Sequence, residues 1–137
     1  MAKMTTRKKP VPVDEYMNTS HLGEFKSSLL RMREVCLQDL ANAHDDAIED
    51  RVPAPDDVDR SDQRMEMESR ARTIERLSYL KREIDSALRR IEEGEFGYCE
   101  ESGDEIGLPR LRANPLARYT IEVQSRREHM GRLKAVA

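Results

Sequence analysis

The 137-residue chain has few of the residues that build large cores or covalent frameworks. Aromatic residues make up 4% of it and tryptophan is absent, which argues against a large layered core. Its two cysteines, Cys36 and Cys99, are too few for a disulfide framework. No stretch approaches the roughly 20 apolar residues of a membrane span. The first residues lack the apolar centre of a secretion signal, so we expect a cytoplasmic protein.

An excess of one charge is also missing. Charged residues make up 37% of the chain, but both signs are interspersed and the net charge is -3. The protein as a whole is therefore not attracted to nucleic acid or to anionic membranes, and we expect neither sequence-specific DNA nor a membrane as a partner. The sequence has no glycine-rich phosphate loop, no nucleophile elbow and no histidine–carboxylate pair at a useful spacing. We therefore predict a protein that is not an enzyme.

What the sequence does have is two apolar stripes with spacings of three and four residues. The first runs over residues 20–51, with Ser20 as the expected N-cap and Cys36 as a small core residue. Two prolines within three residues end it, because a proline inside a helix costs about 3 kcal/mol. The second stripe runs over residues 59–93. Two similar stripes joined by a short turn predict an antiparallel coiled coil.

These patterns predict a mainly α fold, a long antiparallel coiled-coil hairpin followed by a small globular unit and a C-terminal helix. Each part has its own composition and periodicity. The predicted parts are a flexible N-terminal segment at 1–19, the coiled coil at 20–93 with an acidic tip at 53–62, a degenerate zinc-finger-like unit at 94–118, and a C-terminal helix at 119–137.

Four aspartates crowd the predicted tip: Asp56, Asp57, Asp59 and Asp62. Helix capping and the helix dipole explain one or two of them. The others indicate that the coiled coil presents carboxylates to a distant target. That target is either a basic protein loop or a bound magnesium ion, and the residues alone leave both open.

Residues 94–107, GEFGYCEESGDEIG, begin as a zinc knuckle does but lack its second thiolate. Structural zinc takes four thiolate or imidazole ligands, commonly in CxxC pairs. Position 102 is Ser102, no second CxxC follows, and the three histidines are scattered. We therefore expect no structural zinc and no other cofactor, and we expect apolar packing to hold this metal-free unit together.

Two stretches, PDDVDRSDQ at the turn and GEFGYCEESGDEIGLPRLRANPLARYTIE after the coiled coil, together resemble the DksA/TraR family of bacterial transcription factors. The resemblance covers residues 55–128. It implies a monomeric regulator that inserts the coiled coil through the secondary channel of RNA polymerase, so that the tip acts near the active site and trigger loop. It also implies altered promoter-complex lifetimes, with repression of ribosomal RNA promoters and activation of some others, often together with the alarmone ppGpp.

The resemblance also assigns residues. The tip signature Asp-x-x-Asp-x-Ala corresponds to Asp56, Asp59 and Ser61, with serine in place of alanine. The implied contacts with polymerase or ppGpp are Arg76 and Leu80. Basic family positions are occupied here by Glu83, Asn114 and Gln124, so ppGpp dependence is expected to be weakened. The zinc ligands of four-cysteine members fall at Cys99, Ser102, Thr120 and Val123, which implies a zinc-independent paralogue.

Two other functions fit the same geometry. A Gre-like transcript cleavage factor would use the tip carboxylates to position a catalytic magnesium ion. A coiled-coil adaptor would have no role at the polymerase at all.

Overall fold

The computed structural model describes residues 15–49 and 55–136, with the backbone alone at Glu49. Its residues form four helices, as the mainly α prediction requires: α1 (Thr19–Glu49), α2 (Asp57–Glu93), α3 (Leu108–Ala113) and α4 (Ile121–Val136). They separate into two compact units. The helix-pair unit holds residues 30–86. The finger unit holds the described residues up to 29 together with those from 87 onward.

The helix-pair unit consists of the later part of α1 and most of α2, running antiparallel. Three contacts between the helices show the direction, since the partner number on α2 falls as the number on α1 rises. Those contacts are Arg33 Nε to Asp85 Oδ1 at 2.9 Å, Cys36 Sγ to Leu77 O at 3.3 Å, and Arg70 Nη1 to Asp46 O at 3.1 Å. The long helical hairpin predicted from the two stripes is consistent with this arrangement.

The predicted stripes supply the buried residues of this unit, and Cys36, Leu77 and Ile84 are each at most 5% exposed. Cys36 is therefore a core residue, as its place in the stripe predicts. Met67, also in the second stripe, is instead 44% exposed. The register explains the difference: Asp46 contacts Arg70, so the end of α1 at residue 49 lies opposite about residue 67.

The finger unit packs the start of α1, the end of α2, the loop segment after it, α3 and the start of α4. The rings of Phe25 and Phe96 lie 5.5 Å apart at its centre. Leu111 on α3 is fully buried, and Val123 on α4 is 5% exposed. The six-residue helix α3 lies within the predicted zinc-finger-like unit and has a proline in its first turn.

The beginning of the folded chain differs from the prediction. Asn18, not Ser20, caps α1, because its Oδ1 accepts a hydrogen bond from the backbone N–H of His21 at 2.9 Å. The sequence predicts a flexible segment through residue 19, but Met17 and Asn18 are each 4% exposed. The rest of that predicted segment, residues 1–14, lies outside the described residues. Among the described helices, none has the length and apolar character needed to cross a membrane.

Candidate functional sites at the start of α2 and in the finger unit

The start of α2 carries the predicted tip residues. Asp56 caps the helix, because its Oδ1 accepts a hydrogen bond from the N–H of Val58 at 3.2 Å and its carbonyl accepts one from Arg60 at 2.8 Å. Arg60 also pairs with Asp57 at 3.5 Å. Capping therefore accounts for Asp56, while Asp57 and Asp59 lie in the first turn, where the helix dipole favours negative charge.

Every residue from 55 to 62 is exposed. Asp59 and Ser61 are two positions apart in a helix, which places their side chains about 200° apart around its axis. Asp59 and Asp62, three positions apart, share a face. The structure thus does not bring the three predicted tip residues together on one surface. The remainder of the predicted tip, residues 53 and 54, lies outside the described residues.

Arg76 and Leu80 form a separate position on α2. They are four residues apart and so lie on the same face, with Arg76 exposed and Leu80 partly buried. Arg76 is seventeen residues from Asp59, which is about 25 Å along the helix. Next to them, the Arg82 guanidinium lies 5.9 Å from the ring centre of the exposed Tyr79.

In the finger unit, residues 97–107 form a tight hairpin-like loop, called here the finger loop. Its two sides are joined by Ile106 N to Gly97 O at 2.9 Å and Cys99 N to Asp104 O at 2.8 Å. Gly103 turns the chain with φ 75°, a conformation that glycine adopts without strain. The segment is therefore a tight turn closed by backbone hydrogen bonds between its two sides.

Cys99 lies inside this loop with 3% of its surface exposed. Burial by itself raises the pKa of its thiol. Hydrogen bonds to the sulfur outweigh that effect, coming from the Ser102 hydroxyl and from the backbone of Ser102, Thr120 and Glu101, and they lower the pKa from 9.0 to about 7. The structure therefore brings three of the four predicted ligand positions into one cluster.

The two hydroxyl residues in this cluster also make local backbone contacts. The Ser102 Oγ accepts a hydrogen bond from Asp104 N at 3.3 Å, which supports the turn. The Thr120 Oγ1 accepts one from Val123 N at 3.3 Å and so caps α4. Val123, the fourth position, is a buried apolar residue of the first turn of α4.

Two adjacent glutamates tie the finger loop to the rest of its unit, which the sequence reasoning missed. Each of them lies within ion-pair distance of two arginines. The pairs are Glu100 with Arg90 at 3.4 Å and Arg118 at 3.6 Å, and Glu101 with Arg126 at 2.7 Å and Arg127 at 3.2 Å. The signal in the sequence was the acidic pair directly after Cys99 and the basic pair on α4.

Comparison with known proteins finds relatives that match most of the chain. Residues 94–129 match the family described as "Prokaryotic dksA/traR C4-type zinc finger". The chain is 35% identical over 125 residues to the RNA polymerase-binding transcription factor DksA of Caulobacter vibrioides, covering 91% of this chain and 88% of that protein. It is 32% identical over 114 residues to DksA of Escherichia coli K12, covering 83% and 76%.

A solved structure agrees with the sequence comparison. The transcription factor DksA2 from Pseudomonas aeruginosa superposes with a TM-score of 0.80 at 30% identity, covering 88% of this chain and 93% of that one. The fold, the finger loop and the relatives lead to one conclusion. The chain belongs to the DksA/TraR family.

The family overturns one expectation. We predicted no cofactor and a metal-free unit, but the family matched by residues 94–129 is a C4-type zinc finger, so zinc is the metal that this segment implies. The donors at the four predicted positions differ from those of a C4 site: Cys99 is a thiol, Ser102 and Thr120 are hydroxyls, and Val123 is apolar. Within residues 15–49 and 55–136, no group of three or more His, Cys, Asp or Glu side chains could hold a metal ion. The residues present therefore do not fit a four-thiolate site.

Proposed function

We propose that this chain binds bacterial RNA polymerase and regulates transcription without itself being an enzyme. The observation that carries the proposal is the length of the match: relatives named RNA polymerase-binding transcription factors align with 91% of the chain, not with the finger alone. The alignment therefore includes the helix pair as well as the finger unit. A shared finger by itself would support much less, because function depends on particular sites and not on a fold.

The proposed mode of action uses the antiparallel helix pair to reach through the secondary channel of the polymerase. Its support here is the start of α2, where residues 55–62 are all exposed and Asp57 and Asp59 stand in the first helical turn. We assign Asp56 to capping and Asp59 to the polymerase contact near the trigger loop, with Ser61 beside it on another face. The effect is a change in promoter-complex lifetime, with repression of ribosomal RNA promoters. The chain acts as a monomer.

Weakened dependence on ppGpp is part of the proposal. Arg76 and Leu80 are the residues that match the family at the proposed contact with polymerase or ppGpp. Asn114 and Gln124, which stand at basic family positions, are engaged locally: the Asn114 Oδ1 accepts from Leu116 N at 3.1 Å, and the Gln124 Nε2 donates to Glu128 at 2.9 Å. Amides supply no net charge to attract a highly charged phosphate ligand.

The test is transcription in vitro from a ribosomal RNA promoter, with purified polymerase and with or without ppGpp. The wild-type protein should shorten promoter-complex lifetime, and ppGpp should add little. Asp59→Asn changes one charge with little change in shape and should remove most of the effect while polymerase binding persists. Asp39→Asn, at an exposed aspartate on α1 outside the acidic tip, is the matched control and should act as wild type.

The two alternative functions, transcript cleavage factor and coiled-coil adaptor, predict different results with the same purified polymerase. Shortening of the RNA in stalled elongation complexes would identify a transcript cleavage factor and overturn the proposed mode. Absence of any binding to the polymerase would favour the adaptor. If Asp59→Asn had wild-type activity, the charge of Asp59 would have no role in the proposed polymerase contact.

A further inference from the structure

Residues 15–18, directly before α1, lie against the finger loop even though they are distant from it in sequence. The Tyr16 hydroxyl donates a hydrogen bond to Gly97 O at 2.6 Å and accepts one from Gly107 N at 3.0 Å. Gly97 and Gly107 are the two ends of the finger loop. One hydroxyl therefore bridges the place where the loop leaves the rest of its unit and the place where it returns.

The side chains beside this bridge fit the same surface. The Tyr16 ring meets the Tyr98 ring edge-on, with ring centres 5.6 Å apart and planes at 85°. Met17 is 4% exposed and adopts φ 54°, the left-handed region that residues with a side chain rarely occupy. A Cβ added to Gly97 would lie 2.8 Å from the Met17 Cγ. The absence of a side chain at Gly97 is thus what admits Met17.

The other end of the segment is fixed as well. Asn18 is 4% exposed and caps α1 through the N–H of His21. Its carbonyl accepts the first helical hydrogen bond, from Leu22 at 3.0 Å. The segment is therefore held by α1 on one side and by the finger loop on the other.

We propose that residues 15–18 form a strap that keeps the finger loop closed, and that release of this strap gives solvent access to the buried thiol of Cys99. The finger loop contains Cys99, which is 3% exposed in this closed arrangement of the loop. The loop has its own bonds across its two sides, but the strap supplies the hydroxyl that joins its ends. The strap lies outside residues 94–129, so the matched finger segment does not contain it.

The proposal stands independently of polymerase binding, because it concerns the closure of one loop. Opening requires the loss of both hydrogen bonds of the Tyr16 hydroxyl and of the packing of Met17. Local opening of this kind differs from global unfolding, since it exposes one segment and leaves the remaining core protected.

The two cysteines make this testable, because each can report alone. In a Cys36→Ser background, reaction with the thiol reagent DTNB reports Cys99. In a Cys99→Ser background it reports Cys36, which is buried in the helix-pair unit. Tyr16→Phe keeps the ring and removes the bridging hydroxyl, and it should speed the reaction of Cys99 about tenfold. Tyr16→Ala, which also removes the ring contact, should speed it further.

Tyr79→Phe, which removes the same atom from an exposed tyrosine of the helix-pair unit, is the matched control and should leave the rate unchanged. Cys36 should react at its wild-type rate in all three variants. Deuterium exchange should rise at the amide of Gly107 in Tyr16→Phe. An unchanged Cys99 rate in that variant would overturn the strap. An equal acceleration of Cys36 would overturn it too, because that result indicates global destabilisation.

Discussion

Arg33 on α1 donates a hydrogen bond from Nε to Oδ1 of Asp85 on α2 at 2.9 Å, which joins the two helices of the helix-pair unit by a charged contact. The second oxygen of Asp85 accepts from Lys81 at 3.0 Å, one turn earlier on α2. Both oxygens of one carboxylate are therefore paired with cations. This hydrogen bond is directional and requires Arg33 to lie opposite Asp85, so it helps to fix the antiparallel register of the two helices.

The Asp85 contact predicts how stability responds to acid. Its hydrogen bonds, first with Lys81 and then with Arg33, hold the pKa of Asp85 below its ordinary value of 3.8. A lowered pKa gives stability that is present above pH 3.8 and is lost as the pH falls through the pKa of the folded state. Asp85→Asn should therefore be less stable than wild type at pH 7 by up to about 1 kcal/mol. The difference should shrink as the pH falls below 3.8 and through the lowered pKa of the folded state.

Urea unfolding followed by circular dichroism at several pH values measures this difference. Asp39→Asn is the control, an exposed aspartate on α1 that should show the same acid response as wild type. If the gap between Asp85→Asn and wild type stayed constant from pH 7 down to the acid pH at which wild type unfolds, ionisation of Asp85 would not contribute to the stability of the helix pair.

A second prediction compares two glycines. Gly97 has φ 92°, and an added Cβ would lie 2.8 Å from Met17, so Gly97→Ala combines backbone strain with a clash. It should destabilise the protein by about 1–3 kcal/mol. Gly23 lies inside α1, with nothing within 4 Å of an added Cβ, so Gly23→Ala should stabilise it by up to about 1 kcal/mol. Thermal unfolding of both variants shows whether each substitution raises or lowers stability. An unchanged stability of Gly97→Ala would argue against the close fit of Met17.

The helical stripes were predictable because their signal is local and repeated. Spacings of three and four residues identify Phe25, Leu29 and Cys36, and all three are buried. The finger loop was predictable for a similar reason, since its glycines and its single cysteine follow one another within a few residues. The resemblance they supported is confirmed by relatives that span the chain.

What could not be predicted depends on contacts between distant residues. The Tyr16 hydroxyl meets Gly97 and Gly107 across 81 and 91 positions, and no periodicity reports such a pair. Helix α3 is six residues long, too short for a helical period to emerge. The cofactor prediction was wrong for a different reason: it counted ligands by spacing, whereas the family matched by residues 94–129 is defined as a zinc finger.

The last prediction separates the two adjacent glutamates of the finger loop. Glu100 pairs with Arg90, whose side chain is 10% exposed, whereas Glu101 pairs with Arg126 and Arg127, which are more than half exposed. Glu100→Gln leaves a buried guanidinium with a weaker partner and should cost about 1–3 kcal/mol. Glu101→Gln loses exposed pairs and should cost less than about 1 kcal/mol.

The salt dependence of stability distinguishes the buried ion pair of Glu100 from the exposed ion pairs of Glu101. At about 1 M salt the screening length falls to roughly 3 Å, so the cost of Glu101→Gln should disappear, while most of the cost of Glu100→Gln should remain. Urea unfolding of both variants at low and high salt measures this, with Glu75→Gln as the control at an exposed glutamate in the interior of α2. Equal costs for the two glutamates at low salt would show that burial of Arg90 adds nothing to its ion pair.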